Sequence, residues 1–239
     1  QNNGMPTEIA YLGTTLSARL AQESKSAGLI VGNNVLAHTP NLNDFVAGLK
    51  ILLKPCGIIT MEFPHLMKLM EETQFDTIYH EHFSYFSLLT IEKVFAAQGL
   101  ILFDVEKMPT HGGSLRIYAK HQEDITKPIS ERVDKLKQCE MNAHYTSIDH
   151  YLAFGERVKT IKRKILYSLI QLKEEGKTIV GYGAPAKGNT LLNYCGIKTD
   201  FLEYTVDRNP YKQGRYLPGS HIPIEAPEKI RKSKPDYVL

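Results

Sequence analysis

At 239 residues the chain is long enough for one large domain or two smaller ones, and its 42% hydrophobic and 23% charged residues are the balance of a globular protein with a buried core. A formal charge of +3, from 29 basic and 26 acidic residues, is too small to argue for nucleic acid or membrane binding. No apolar run reaches the roughly 18 to 20 residues that span a bilayer. Gln1-Asn2-Asn3-Gly4 carries no signal-peptide pattern, so the expected compartment is the cytoplasm.

In chain order, residues 14 to 25 read as a short helix, and Gly28 to Asn34 is an apolar run of strand length ending in polar residues. Pro40-Asn41-Leu42-Asn43-Asp44 opens a helix with Phe45, Leu49 and Leu52 at helical spacing, ended by Lys54-Pro55-Cys56-Gly57. A second apolar strand, Ile58 to Phe63, closes at Pro64, and strand, helix and strand with short links make a βαβ unit of a parallel sheet. Thr90 is placed to cap a helix running through Gln98, with Ile91, Val94 and Phe95 inward and Gly99 at its end. Leu100 to Lys107 and Ser114 to Lys120 read as two strands that would end the sheet antiparallel. Between them, Pro109-Thr110-His111-Gly112-Gly113 supplies paired glycines for a turn or for close approach to a ligand.

From about Ile125 to Gly176 the pattern is helical and charged, with Val133, Leu136, Tyr151, Val158, Ile161, Ile165, Leu169 and Leu172 as the buried stripe. The cluster Lys159, Lys162, Arg163 and Lys164 lies at helical spacing and reads as a solvated face. A second α/β unit follows: a strand from Thr178, a glycine-rich turn Gly181-Tyr182-Gly183-Ala184-Pro185-Ala186, a helix through Thr190 to Cys195, and a strand Phe201 to Val206 ending in Asp207. The division expected is therefore 1–124, a helical connector 125–176, and 177–239, two α/β regions facing each other. The absence of an initiator Met and the strand-like close Pro235 to Leu239 read as the two ends of a fragment.

Candidate chemistry concentrates in Thr77 to Tyr85, which holds two imidazoles, a carboxylate and two phenols in nine residues. His titrates nearest neutral pH, and Glu and Tyr either transfer protons or tune the His, whereas the plain alternative is a polar strand or loop with satisfied hydrogen bonds. His80 and His82 would face one side of a strand, but no third ligand lies at a recognisable spacing and no metal is expected. His38 follows the end of the first strand, on the edge where open α/β sheets collect functional groups. Cys56, Cys139 and Cys195 are odd in number and far apart, which fits reduced, mostly buried thiols. The Gly181 turn matches G-x-G-x-x-A, which serves phosphate binding, a dinucleotide site or a structural turn. Lys187 and Asn189 add a cation and an amide at the helix start, suited to a diphosphate.

Three segments, Gly32 to Leu42, Phe75 to Tyr85 with its YHEHFSY element, and Pro109 to Arg116, resemble the sugar-nucleotide C-methyltransferases, and Gly181 to Asn189 with Asp207 to Gly214 resemble that family's C-terminal domain. The resemblance implies an α/β architecture: part of a class I S-adenosylmethionine-binding Rossmann-like domain, starting after its glycine-rich loop and without an N-terminal zinc domain, joined by helices to a second α/β domain. It implies methyl transfer to C3 of a 4-keto-deoxysugar nucleotide, with His82 as base and Tyr79 and Glu81 orienting the sugar or tuning the imidazole. His38 would donate to the keto or enolate oxygen, Asn33 and Asn34 would lie near S-adenosylmethionine, and Gly112, Gly113 and Arg116 would close an interdomain cleft. The amides of Gly183 and Ala184, with Lys187 and Asn189, would hold the diphosphate or sugar. The alternatives are an NAD-dependent nucleotide-sugar oxidoreductase using the Gly181 turn and a noncatalytic sugar-nucleotide-binding module.

Overall fold

The computed structural model describes Gly4 and residues 6–239; the Gln1-Asn2-Asn3 segment read for a leader lies outside the described residues. Packing groups the chain into two units, one running up to Leu69 and again over Glu81–Ile148, the other Met70–His80 with Asp149–Leu239.

In the first unit, helix α1 (Thr14–Gln22) precedes strand β1 (Ala27–Asn33), helix α2 (Leu42–Leu52) and strand β2 (Leu53–Pro64). The Asn41 side chain accepts from Asp44 N–H, so the helix begins where a side-chain oxygen satisfies an otherwise unpaired amide. β1 and β2 are parallel, with Asn33 opposite Glu62, which makes the expected βαβ crossover and brings both carboxyl ends to one edge. β2 begins earlier than the pattern suggested. Lys54-Pro55-Cys56-Gly57 does not end the helix but bulges between the Ala27–Leu53 and Leu29–Ile58 pairs, where the missing proline N–H breaks no ladder bond.

After helix α3 (Leu66–Glu71) and the candidate loop comes α4 (Leu88–Ala96). Its cap is Ser87, whose hydroxyl accepts from Thr90 N–H at 3.2 Å; Thr90 lies inside the helix, so the start is three residues earlier than expected. Strands β3 (Leu100–Met108) and β4 (Ser114–His121) form an antiparallel hairpin, β4 pairs antiparallel with β2, and the order is β1-β2-β4-β3. Helix α5 (Glu131–Asn142) packs Val133 and Leu136 into the same core as Phe63, Phe95 and Ile117, so residues 125–148 join this unit rather than forming a connector. A hydrophobic contact surface, not the helical pattern, decides that membership.

In the second unit, helix α6 (Ile148–Glu174) leads to β5 (Ile179–Tyr182), α7 (Ala186–Cys195), β6 (Thr205–Val206), β7 (Ile224–Glu225), α8 (Glu228–Ser233) and β8 (Tyr237–Val238). The four strands are parallel in the order β7-β6-β5-β8, over a core that includes Leu169, Ile179, Leu192 and Ile222. β6 is shorter than the stretch from Phe201, which first turns through hydrogen bonds to Lys198. Cys195 is buried but Cys56 is exposed, contrary to the mostly buried thiols expected. Among the described residues no helix is long and apolar enough to cross a membrane, and no group of three His, Cys, Asp or Glu side chains gathers as a metal would require.

Candidate active site

The Thr77–Tyr85 stretch is a loop, not a strand, so the alternation that would have aligned His80 with His82 does not apply. His80 is exposed and falls, with Tyr79, in the second unit, where Tyr79 N–H donates to Thr77 O at 3.2 Å. Glu81, His82 and Tyr85 fall in the first unit.

There a short 3-10 turn, Leu36–His38, is anchored by the buried Leu36 and Ala37. Ala37 O accepts from Phe83 N–H at 2.8 Å and Ser84 N–H at 3.3 Å, which draws the His82 loop onto the turn. His38 Nδ1 lies 2.9 Å from Glu81 O. A carbonyl only accepts, so Nδ1 carries the proton; neutral His38 then presents a lone pair at Nε2 and donates from Nε2 only as the imidazolium. The Glu81 side chain is exposed, and its backbone oxygen is what orients His38. The rings of His38 and His82 stand edge to face with centroids 4.7 Å apart, and Tyr85 approaches His82 at 5.5 Å. Two imidazoles and a phenol thus share one half-buried locus beyond the carboxyl end of β1, where proton transfer and charge stabilisation are both available.

A second cluster stands on the same edge of the sheet. Asn33 is exposed and Asn34 adopts a left-handed backbone (φ 54°), its N–H donating to Glu62 O at 2.8 Å and its Nδ2 to His111 Nε2 at 3.3 Å. His111 is itself left-handed (φ 54°), in the turn with Gly112 and Gly113. At Gly113 (φ 114°) a Cβ would stand 2.8 Å from Lys68 Cγ, so the glycine answers a backbone and steric need. Gly112 (φ 81°) serves the same turn. Beneath it Glu62, only 4% exposed, accepts from Thr110 Oγ1 at 2.8 Å and Arg116 Nη2 at 2.7 Å. The Thr110 hydroxyl, with the Arg116 guanidinium, holds the Glu62 carboxyl below the usual carboxylate range against the opposing effect of burial. Arg116, expected to face a ligand, is thereby committed to Glu62. Sequence reasoning passed over Glu62 and His111, although an acid in the apolar run Ile58 to Phe63 was a visible signal.

In the second unit the Gly181 turn forms as expected between β5 and α7, and a Cβ at Gly181 would meet Thr205 Oγ1 at 2.7 Å. Its amides are already used, however. Gly183 N–H donates to Val206 O at 2.6 Å and Ala184 N–H to Asp207 Oδ2 at 2.8 Å, so neither amide is available to a diphosphate as anticipated. The N–H groups of Asn209 and Ala184, then Lys212, hold the Asp207 carboxyl below its ordinary range. Asp207 braces the turn, with Oδ2 on Ala184 N–H and Oδ1 on Asn209 N–H at 2.8 Å each, which engages part of the carboxylate that a dinucleotide ribose would use. α7 has no side-chain cap, and its first turn carries half-buried Lys187 and Asn189, whose Oδ1 is buried without a hydrogen-bond partner. The uncapped first-turn N–H groups and the Lys187 ammonium are the donors this helix start offers.

The model of the C-methyltransferase C-terminal domain family matches residues 109–239, more than half of the chain. The chain belongs to that family. This family member is also 33% identical, over 241 residues, to the C-methyltransferase NovU of Streptomyces niveus, an alignment that covers 100% of this chain and 56% of the relative. The chain thus spans little more than half the length of that curated protein. Solved structures overlap it only partially: a Burkholderia thailandensis 1,6-didemethyltoxoflavin N1-methyltransferase with S-adenosylhomocysteine (TM-score 0.32, 16% identity, 40% of this chain and 44% of the other) and the calicheamicin-biosynthesis methyltransferase CalO1 (TM-score 0.35, 13% identity, 40% and 30%). Overlaps this partial carry no argument about the reaction.

Proposed function

We propose that this protein acts in S-adenosylmethionine-dependent C-methylation of a 4-keto-deoxysugar nucleotide, at C3 beside the keto group. The observation that carries the reading is the His38–His82 pair, ordered by Ala37 O and Glu81 O at the carboxyl edge of β1 in a chain of the C-methyltransferase family. The methyl donor supplies an electrophilic methyl group. Asn33 and Asn34 suit a nucleoside-bearing sulfonium in chemistry: both are neutral amides that donate and accept, and the Arg116 guanidinium of the same cluster is paired with Glu62.

His82 takes the acidic proton from the carbon next to the ketone, and the electron pair of that C–H bond passes into the enolate. A bound methyl donor would give its methyl to the enolate carbon and depart as a neutral thioether, so the chain's residues have to supply a base and an oxyanion donor but no acid for the leaving group. His38 as imidazolium holds Nδ1–H on Glu81 O and donates Nε2–H to the enolate oxygen. In the second unit, Lys187 and Asn189 in the first turn of α7 suit a diphosphate by charge and hydrogen bonding, and Tyr79 suits a sugar hydroxyl. Gly112 and Gly113 let the turn bearing His111 approach the ligand. The protein works on a soluble small molecule in the cytoplasm.

The test is solvent exchange of the C3 proton in the full-length protein. His82→Ala should lower exchange and methyl transfer about 10²- to 10⁴-fold, the usual contribution of a positioned base; exchange at the parental rate would remove His82 from that role. Saturable binding of NADH, followed by nicotinamide fluorescence, would argue for the oxidoreductase instead.

A further inference from the structure

Glu140 sits where an apolar residue is expected. On α5 it continues the stripe of Val133 and Leu136 and is 0% exposed, yet it is a carboxylate. Its Oε1 accepts from His65 Nε2 at 2.7 Å and from Leu88 N–H at 2.8 Å, and its Oε2 from Leu89 N–H at 2.9 Å. His65 is 2% exposed. Burying a charge-bearing pair is costly, and a well-packed apolar pair in its place is often no worse for stability. α4 already has its own cap in Ser87. That cap satisfies only Thr90 N–H, and Glu140 takes the two amides before it, so capping accounts for the Leu88 and Leu89 bonds but not for the buried His65 on the same carboxylate.

What the pair does is join segments. His65 follows β2 directly; its N–H donates to Gly113 O, and the next residue, Leu66, donates N–H to Phe86 O, each at 3.0 Å. Residues 86 to 89, the exit of the His82 loop, are thus held on His65 through both backbone and Glu140. The entry of the loop is held separately, by Ala37 O on Phe83 and Ser84 and by His38 on Glu81 O. His82 lies inside the first anchorage, between Glu81 and Phe83, and Tyr85 alone links that anchorage to residues 86 to 89, so a shift at either end reaches the His82 ring through a short stretch of backbone. His65, through Gly113, also steadies the turn that carries His111.

We infer that His65 and Glu140 form a buried positioning pair for the catalytic loop, fixing His82 through the backbone of residues 86 to 89 without touching the substrate. The inference rests on the proposed role of His82. Misplacement of a reacting group by about 1 Å costs about a hundredfold in rate.

In the full-length protein, Glu140→Gln and His65→Leu should lower kcat for C3-proton exchange about ten- to a hundredfold, with KM for the nucleotide sugar changed less than about threefold. His65→Gln, whose side-chain N–H can replace Nε2–H, should stay within about threefold of the parent, while the shorter His65→Asn should behave like His65→Leu. Amide hydrogen exchange at Phe83 and Ser84 should quicken about tenfold in Glu140→Gln, with Ile59 and Ile117 unchanged. Folded variants with parental kcat and parental exchange at Phe83 and Ser84 would overturn the inference. So would equal activity of His65→Gln and His65→Asn, a comparison that decides the matter even if His65→Leu does not fold. A parent that exchanges no C3 proton of any nucleotide 4-keto-sugar would defeat the catalytic reading, and the Phe83 and Ser84 amides would still decide whether the pair positions the loop.

Discussion

Glu62→Gln tests whether the edge cluster is held by charge. The two carboxylate oxygens receive different donors, Thr110 Oγ1 at 2.8 Å and Arg116 Nη2 at 2.7 Å. Gln has the same shape and keeps one acceptor. Turned so that its oxygen meets Arg116, it offers NH2 to a threonine hydroxyl that can accept; the opposite rotamer sets donor against donor. The loss is therefore the charge assistance of the hydrogen bonds, the difference between about 1.5–3 kcal/mol for a charged partner and about 0.5–1.5 kcal/mol for a neutral one. The Arg116 side chain is 31% exposed, so solvent screening puts the expected cost at the low end, about 1 kcal/mol, or about 2–4 °C in Tm. The pH dependence has a definite sign. Glu62 is depressed in the folded state, so its stabilisation is complete above the unfolded value, about 4.3, and is lost as pH falls through the lower folded value. Urea denaturation followed by circular dichroism should show a gap between parent and variant at pH 7 that narrows below about pH 4. No gap at pH 7, or an equal gap at both pH values, would refute the charge argument.

Other substitutions probe separate parts of the structure. A Cβ at Gly48 would stand 2.6 Å from the Gly13 carbonyl carbon, where α2 passes the start of α1; Gly48→Ala should destabilise by about 1–3 kcal/mol in urea titrations. Phe95→Ala, at a fully buried position beneath the β3–β4 hairpin, should cost about 3–5 kcal/mol by the same measurement. Asp207→Asn should loosen the Gly183–Ala184 turn and weaken calorimetric binding of a nucleotide-diphosphate sugar by the full-length protein several-fold. Because Asp207 is depressed, the accompanying stability loss should be present above the unfolded value near 3.9 and disappear at lower pH.

Local patterns announced the βαβ crossover, the antiparallel hairpin and the strand–turn–helix at Gly181, because each is written in short apolar runs with glycine and asparagine at their ends. Errors arose where two neighbouring residues could play one part. Ser87 and Thr90 are both competent caps, and the choice fell to Ser87 because the apolar Leu88 and Ile91 have to face the core. Pro55 reads as a helix stop, yet a bulge lets it sit inside a strand that starts at Leu53. The helix over Glu131–Asn142 looks like connector until Val133 and Leu136 find the first core.

The candidate site divides in the same way. Residue types and the order of motifs pointed to His38, His82 and the Gly112-Gly113 turn as candidates, since those properties belong to the covalent chain, while His111 and Glu62 gained their place only from the fold. Tertiary structure decided which groups are still available for that chemistry. It spent Arg116 on Glu62 and the Gly183 and Ala184 amides on Val206 and Asp207, and it fixed the His38 proton at Nδ1, donating to Glu81 O. Hydrogen-bond donors and acceptors saturate, and only long-range packing determines which partner reaches each of them first.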